Sequence, residues 1–206
     1  MSVQKKTLIV LIVITALTGV VNYHHHVAVT DDSQLTGLAL QTQTKPLVLD
    51  VRSKETDCQV NGSLPDPACT PGAVFPDATR EIICVSGYTK TVRSVSVSLK
   101  KRVYAEYGIS YPQPTGSYEA DHFIPLELGG SNDIANLFPE AANPTPGFRE
   151  KDLVENYLHQ EMCSRRIPLA IAQKLIADNW LDVYNTLTPE KIKELKSQFS
   201  SSRTNY

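Results

Sequence analysis

The chain has 206 residues, of which 41% are hydrophobic and 20% are charged, which excludes a disordered or fibrous protein and allows one compact domain. The formal charge is −2, and loss of the first 22 residues with their two lysines would leave −4. Because no overall basic field exists, a nucleic-acid enzyme would have to concentrate its positive charge in one place.

An export signal is predicted over residues 1–22. Lys5 and Lys6 precede an apolar run from Leu8 to Val21, which is short for a membrane-spanning helix. A cleaved signal peptide is the favoured interpretation, and it places the protein in the periplasm or outside the cell. No clean cleavage site follows the run, so an uncleaved inner-membrane anchor with the domain facing outward is the alternative. Contact with a membrane is expected only in that case.

The rest of the chain divides into three parts by composition. Residues 23–56 lack sustained periodicity and are predicted to be a linker or poorly ordered, with one domain over 57–199 and a flexible tail over 200–206. The three histidines at 24–26 fall in the linker, where a solvated tract is a better interpretation than a metal site.

Four cysteines lie beyond the signal, and an even number in an oxidising compartment predicts two disulfides. Three pairings are possible. Proximity in the sequence favours Cys58 with Cys69, which would close a loop rich in proline and glycine. The remaining pair, Cys84 with Cys163, would tie the middle of the chain to a predicted C-terminal helix.

A short amphipathic helix is predicted to end at Gly108, because Leu99, Val103 and Tyr107 are four residues apart and share one face. The densest positive region of the chain lies in and just before this helix and comprises Lys90, Arg93, Lys100, Lys101 and Arg102. It is either a solvated helix face or a track for phosphates. In the second case Arg93, Lys100 and Lys101 would bind the substrate.

The C-terminal third is predicted to be helical. Apolar residues recur at helical spacing over 150–163, Pro168 fits the first turn of a second helix, and Thr188-Pro189-Glu190 fits the start of a third.

Adjacent acidic and imidazole side chains, Asp121 and His122, carry the chemistry. Hydrolysis of a phosphodiester needs a base to activate water and a divalent cation to take up charge. Histidine suits the first task at neutral pH and a carboxylate suits a hard cation such as Mg²⁺. Neighbouring strand residues point to opposite faces, but Pro125 and the following Gly129-Gly130 predict a turn that would let both groups converge. Asn136 is placed to brace this loop.

Three motifs of the chain together resemble secreted bacterial HNH-endonuclease-like proteins. They are Asp121-His122-Phe123-Ile124-Pro125-Leu126-Glu127-Leu128-Gly129-Gly130, Asn136-Leu137 and Lys151-Asp152-Leu153-Val154-Glu155. The resemblance covers roughly half of the chain. It implies an α+β domain with a ββα-metal finger at about 117–163, flanking α-helices and disulfide staples. The implied activity is that of an exported, metal-dependent endonuclease on DNA or RNA, and no stable protein partner is implied.

The resemblance also implies roles for single residues. His122 is expected to be the general base, Asp121 a metal ligand and Asn136 the loop brace. Mg²⁺ is the expected ion, with Mn²⁺ or Zn²⁺ as alternatives. Lys151, near the start of the predicted helix, is a further catalytic candidate that could hold the scissile phosphate, or it could pair with Glu155 one turn later.

The second metal ligand has several candidates. Arg149 stands where the family usually has histidine, and an arginine cannot ligate a cation. Asn143 is the preferred substitute, with Glu150, Asp152 or water as alternatives, while Arg149 could bind phosphate instead. A non-catalytic nucleic-acid or envelope module that keeps the finger is therefore the competing hypothesis. A finger that needs metal only to fold is a third.

Overall fold

The computed structural model describes residues 35–39 and 47–203, with side chains as far as residue 198. The regular elements in chain order are helices α1 (Arg80–Ile83), α2 (Tyr88–Val92) and α3 (Val97–Glu106), strands β1 (Tyr118–His122) and β2 (Leu137–Ala141), and helices α4 (Phe148–Cys163), α5 (Leu169–Tyr184) and α6 (Pro189–Arg203). Mixed helices and one small sheet make this an α+β arrangement. The predicted export signal and residues 204–206 lie outside the described residues.

The two strands form an antiparallel pair joined by a fourteen-residue loop over 123–136. Tyr118 pairs with Ala141 at one end and His122 pairs with Leu137 at the other, so the Asp-His motif lies at the loop end of the sheet. The loop contains two short 3-10 turns, Leu126–Leu128 and Ile134–Asn136. Around the motif the chain therefore runs strand, loop, strand, helix, and the helix α4 packs against β1.

The C-terminal helices bury the largest side chains. Tyr157 on α4 and Trp180 on α5 are fully buried, and Leu195 on α6 joins the same core. The indole of Trp180 donates to the carbonyl of Ser63 at 3.1 Å, which connects the C-terminal helices to the loop after Cys58. The helices predicted for the C-terminal third are therefore confirmed, and α4 packs against β1.

Both preferred disulfides are present, Cys58 with Cys69 and Cys84 with Cys163. The first closes the loop rich in proline and glycine, and the second joins the residue after α1 to the end of α4. Two disulfides are compatible with a periplasmic or extracellular location. None of the helices among the described residues has the length and apolar character needed to cross a membrane.

The structure differs from the prediction at both edges of the domain. Residues 35–39, inside the predicted linker, are helical, and Leu35 is buried in the core. Arg52 pairs with buried Glu106 and donates to the carbonyl of Cys69 at 2.9 Å, so this part of the segment packs on the domain. At the other edge α6 continues to Arg203, into the predicted flexible tail.

Candidate active site and groove

The loop after β1 is held in shape by the side chain of Asn136. Its amide oxygen accepts hydrogen bonds from the backbone nitrogens of Ile124 at 2.9 Å and Ala73 at 3.3 Å. Its amide nitrogen donates to the carbonyls of Ile124 and Ser131, both at 2.9 Å. The side chain is fully buried, and these are the bonds that a loop brace requires.

The tight return of this loop also depends on Gly130. A Cβ atom on Gly130 would lie 1.7 Å from the carbonyl oxygen of Ile124, which no side chain can tolerate. The nitrogen of Gly130 donates to the carbonyl of Pro125 at 2.8 Å, so the chain turns back on itself directly after the motif. Glycine is required here by the close approach of two backbone segments.

The imidazole of His122 is oriented by a residue that the sequence analysis missed. Its Nε2 lies 3.2 Å from Oδ1 of Asn132. This Oδ1 also accepts from the nitrogen of Ser94 at 3.1 Å, while the amide nitrogen of Asn132 donates to the carbonyl of Val92 at 2.7 Å. Because Oδ1 can only accept, Nε2 carries the proton and Nδ1 is the basic nitrogen. The sequence signal for this residue was its place in the polar run Gly-Gly-Ser-Asn-Asp over 129–133.

His122 is neutral at physiological pH. The residue is 3% exposed, and burial lowers the pKa of His122 to about 4. The negative charge of Asp121 acts in the opposite direction but does not outweigh burial. The positive charges of Arg93 and Lys151 lower the pKa further. In the described part of the chain Nδ1 has no hydrogen-bond partner. The group can therefore accept a proton, although the ring is almost enclosed.

Asp121 is engaged by Lys151 from α4. Nζ of Lys151 donates to Oδ2 of Asp121 at 2.7 Å and to the carbonyl of His122 at 2.8 Å, and it also pairs with Glu155 one turn later on the helix. Burial opposes ionisation of Asp121, but the positive charge of Lys151 and its hydrogen bond outweigh it and lower the pKa of Asp121 to about 2. Asp121 is therefore an ionised, paired carboxylate.

More carboxyl groups surround this ion pair than the sequence analysis expected. Both carboxyl oxygens of Glu140 on β2 are buried, and neither has a hydrogen-bond partner in the described part of the chain. Burial and the charge of Asp121 raise the pKa of Glu140 well above its usual value. Burial likewise raises the pKa of Glu155, and it raises the pKa of Glu127 to about 8 with the help of Asp152.

An open groove of about 440 Å³ runs beside β1 and reaches Asp121. Arg93 and Lys100 line it, and neither side chain makes an ion pair or hydrogen bond within the described ranges 35–39 and 47–203. Lys101 lies 5.9 Å from the ring centre of Tyr111, which lines the groove and is 39% exposed. The structure thus brings three of the four predicted substrate-binding cations to one side of the motif.

Two other predicted residues lie elsewhere. Asn143 follows the end of β2 that pairs with Tyr118, so it lies past the opposite end of the strand pair from His122 and lines a different cavity. Arg149 is exposed, packs over the ring of Phe148 and donates to the carbonyl of Gly116 at 3.0 Å. Gly116 lines the groove, so Arg149 lies at its margin rather than beside Asp121.

The predicted divalent ion does not fit these residues. Asp121 is paired with an ammonium group, Asn143 is remote, and the carboxylate of Glu150 accepts from the nitrogen of Gly147 at 3.0 Å as a helix cap. Among the described residues, donor atoms suited to a metal converge within 4.8 Å at Cys84, His159 and Cys163. Two of these three are joined in a disulfide, so this group is not a metal site either.

Comparison of the chain with known protein families, with curated proteins and with solved structures finds no match.

Proposed function

We propose that the protein is an exported nuclease that cuts phosphodiester bonds of DNA or RNA, with His122 as the general base. The observation that carries the proposal is the groove. It is lined by Arg93 and Lys100, whose charges are not paired within the described residues, and it ends at Asp121, the neighbour of His122. Phosphates attract such cations, and Tyr111 offers an exposed ring for stacking of a base.

The proposed reaction uses groups of the chain and one water molecule. Nδ1 of His122 takes a proton from water, and the resulting hydroxide attacks phosphorus. The bond from phosphorus to the leaving sugar oxygen breaks, and that oxygen takes a proton from solvent. Arg93 and Lys100 stabilise the negative charge that grows on the phosphate oxygens. No step passes through a metal ion, because the residues do not fit one.

The experiment compares digestion of plasmid DNA and of RNA by the wild type and by His122→Ala. Loss of a general base lowers turnover by about 10²–10⁴. His159→Ala is the matched control, since His159 is also partly buried and contacts a disulfide sulfur on α4, and it should cut at the wild-type rate. Cleavage by His122→Ala at the wild-type rate would end the proposal.

A second candidate, a nucleic-acid-binding module without catalysis, is favoured by the 3% exposure of His122, which restricts access of water and phosphate to the ring. This module would retard nucleic acid on a gel without cutting it. Under both candidates Arg93→Ala with Lys100→Ala should weaken binding and reduce its salt dependence, by about one unit of slope for each phosphate that the variant no longer neutralises. Cutting by the wild type that disappears in His122→Ala selects the nuclease.

A further inference from the structure

The ammonium group of Lys151 lies in a cage of oxygen atoms. Nζ is 2.7 Å from Oδ2 of Asp121, 2.8 Å from the carbonyl oxygen of His122 and 3.8 Å from Oε2 of Glu140, and it is also paired with Glu155. The Lys151 side chain has no exposed surface. An ammonium group has three protons, so Asp121, His122 and Glu155 use all of its donors. Lys151 therefore has no proton left to donate to a phosphate.

The same cage has the composition of a site for a hard divalent cation. Mg²⁺, Mn²⁺ and Ca²⁺ bind carboxylate and carbonyl oxygens, and these are the groups around Nζ. The side chain that the resemblance predicts as the metal ligand, Asp121, is the one that Lys151 holds. A divalent ion could enter only by displacing the ammonium group or by lying against it, and like charges at such a distance in a poorly solvated site repel strongly.

We infer that Lys151 takes the place of the divalent cation, so that the site binds no metal ion while Lys151 is present and works without one. The inference rests on the proposed function for what the site does, but the occupancy of the cage is measured separately. Lys151 acts as a positioning residue: it ties α4 to the end of β1 through Asp121 and through the carbonyl of the base itself. Arg93 and Lys100, which line the groove, supply the positive charge that contacts the substrate.

Titration of the full chain with Mn²⁺, with free Mn²⁺ followed by electron paramagnetic resonance, tests the occupancy. The wild type should show no Mn²⁺ site. Lys151→Ala removes the ammonium group and leaves Asp121, Glu140 and Glu155 around the vacated space, so it should gain a single site that a further Asp121→Asn change abolishes. Lys174→Ala is the matched control, because Lys174 is also buried and pairs one turn later with Asp178 on its helix. It should gain no site.

Two outcomes would overturn the inference. One is a Mn²⁺ site in the wild type that Asp121→Asn removes, and this measurement needs no folded Lys151 variant. The other is a Lys151→Ala protein that keeps the wild-type circular dichroism spectrum yet binds no Mn²⁺. Should Lys151→Ala fold only when Mn²⁺ is added, the ion has replaced the ammonium group and the inference is supported.

Cleavage assays in excess EDTA distinguish this inference from the proposed function. An unchanged rate in EDTA supports both, whereas a rate that EDTA abolishes and Mg²⁺ restores keeps the nuclease and overturns the metal-free site. Absence of cutting under every condition counts against the nuclease alone, because the Mn²⁺ titration still decides what occupies the cage.

Discussion

The two sides of the Asp-His motif differ in the groups that surround it: neutral amides on the side of the loop, and carboxyl groups with one lysine on the side of helix α4. On the loop side, the neutral amides of Asn136 and Asn132 bond to backbone groups and to the ring of His122, and four hydrogen bonds converge on Asn136 alone. On the helix side, one ammonium group donates to Asp121 and Glu155 and lies 3.8 Å from Oε2 of Glu140, and neither oxygen of Glu140 has a hydrogen-bond partner among the described residues.

The loop side therefore fixes the geometry of the motif, and the helix side holds its charge. The bonds of Asn136 join only amide and backbone groups, so they give a single loop conformation that changes little with pH. A buried cluster with more acids than bases keeps some acids protonated, so its stability and its charge depend on pH and on one lysine. Substitutions on the two sides should therefore have distinguishable effects.

The largest effect is expected from Lys151→Met, which leaves the partly buried carboxylate of Asp121 without its partner. Breaking a buried ion pair from one side costs about 3–5 kcal/mol of unfolding free energy. Urea denaturation followed by circular dichroism measures this loss. Lys174→Met is the control, because its partner Asp178 is 54% exposed and stays hydrated. Equal losses in the two variants would contradict the special role of the Lys151 cluster.

Asn136→Ala should have the second largest effect and lower the free energy of unfolding by about 2–4 kcal/mol, because buried backbone groups of Ile124 and Ser131 lose their hydrogen-bond partner. The same denaturation experiment measures it, and the loss should not vary between pH 5 and 8. The control is Asn156→Ala, whose amide bonds only to the carbonyl of Asp152 on its own helix. A pH-dependent loss in Asn136→Ala would mean that the two sides of the motif are coupled.

Asn132→Ala should lower cleavage about tenfold, equivalent to about 1.4 kcal/mol, because the base loses the acceptor that fixes its tautomer. Nitrogen chemical shifts of the His122 ring give a second measurement, which should change from one tautomer to a mixture. The ring of His159 serves as the internal reference. An unchanged His122 tautomer with the wild-type rate would remove the orienting role from Asn132.

The smallest effect is expected from Glu127→Gln, and it should grow as pH rises from about 4.5 to about 8. The folded pKa of Glu127, about 8, exceeds its usual value of 4.5, so its contribution to stability is full below about pH 4.5 and is lost as pH rises through 8. Between pH 5 and 9 the wild type should lose at least about 1 kcal/mol, or about 2–4 °C in Tm. Glu127→Gln should flatten that slope, whereas a change at exposed Glu190 to glutamine should not.

The sequence by itself determined the features that depend on neighbouring residues. An Asp-His pair before proline and a double glycine predicted a strand that ends in a turn, and Asn136 was identified as the brace because its place beyond the turn lets it hydrogen-bond across the loop. The helices α3 to α6 followed from periodicity and caps, and the cysteine spacing favoured both disulfides that the structure contains.

Only the tertiary structure decided what the motif touches. Lys151 is thirty positions from Asp121, and no local pattern states whether it faces solvent or fills a cage of oxygens. Asn143 satisfied the sequence pattern for a ligand but lies beyond the far end of the strand pair. Burial, which lowers the pKa of His122 and raises that of Glu127, is a sum over contacts between distant segments. Residue types and spacings specify which chemistry is available, whereas packing determines the charge that each group carries.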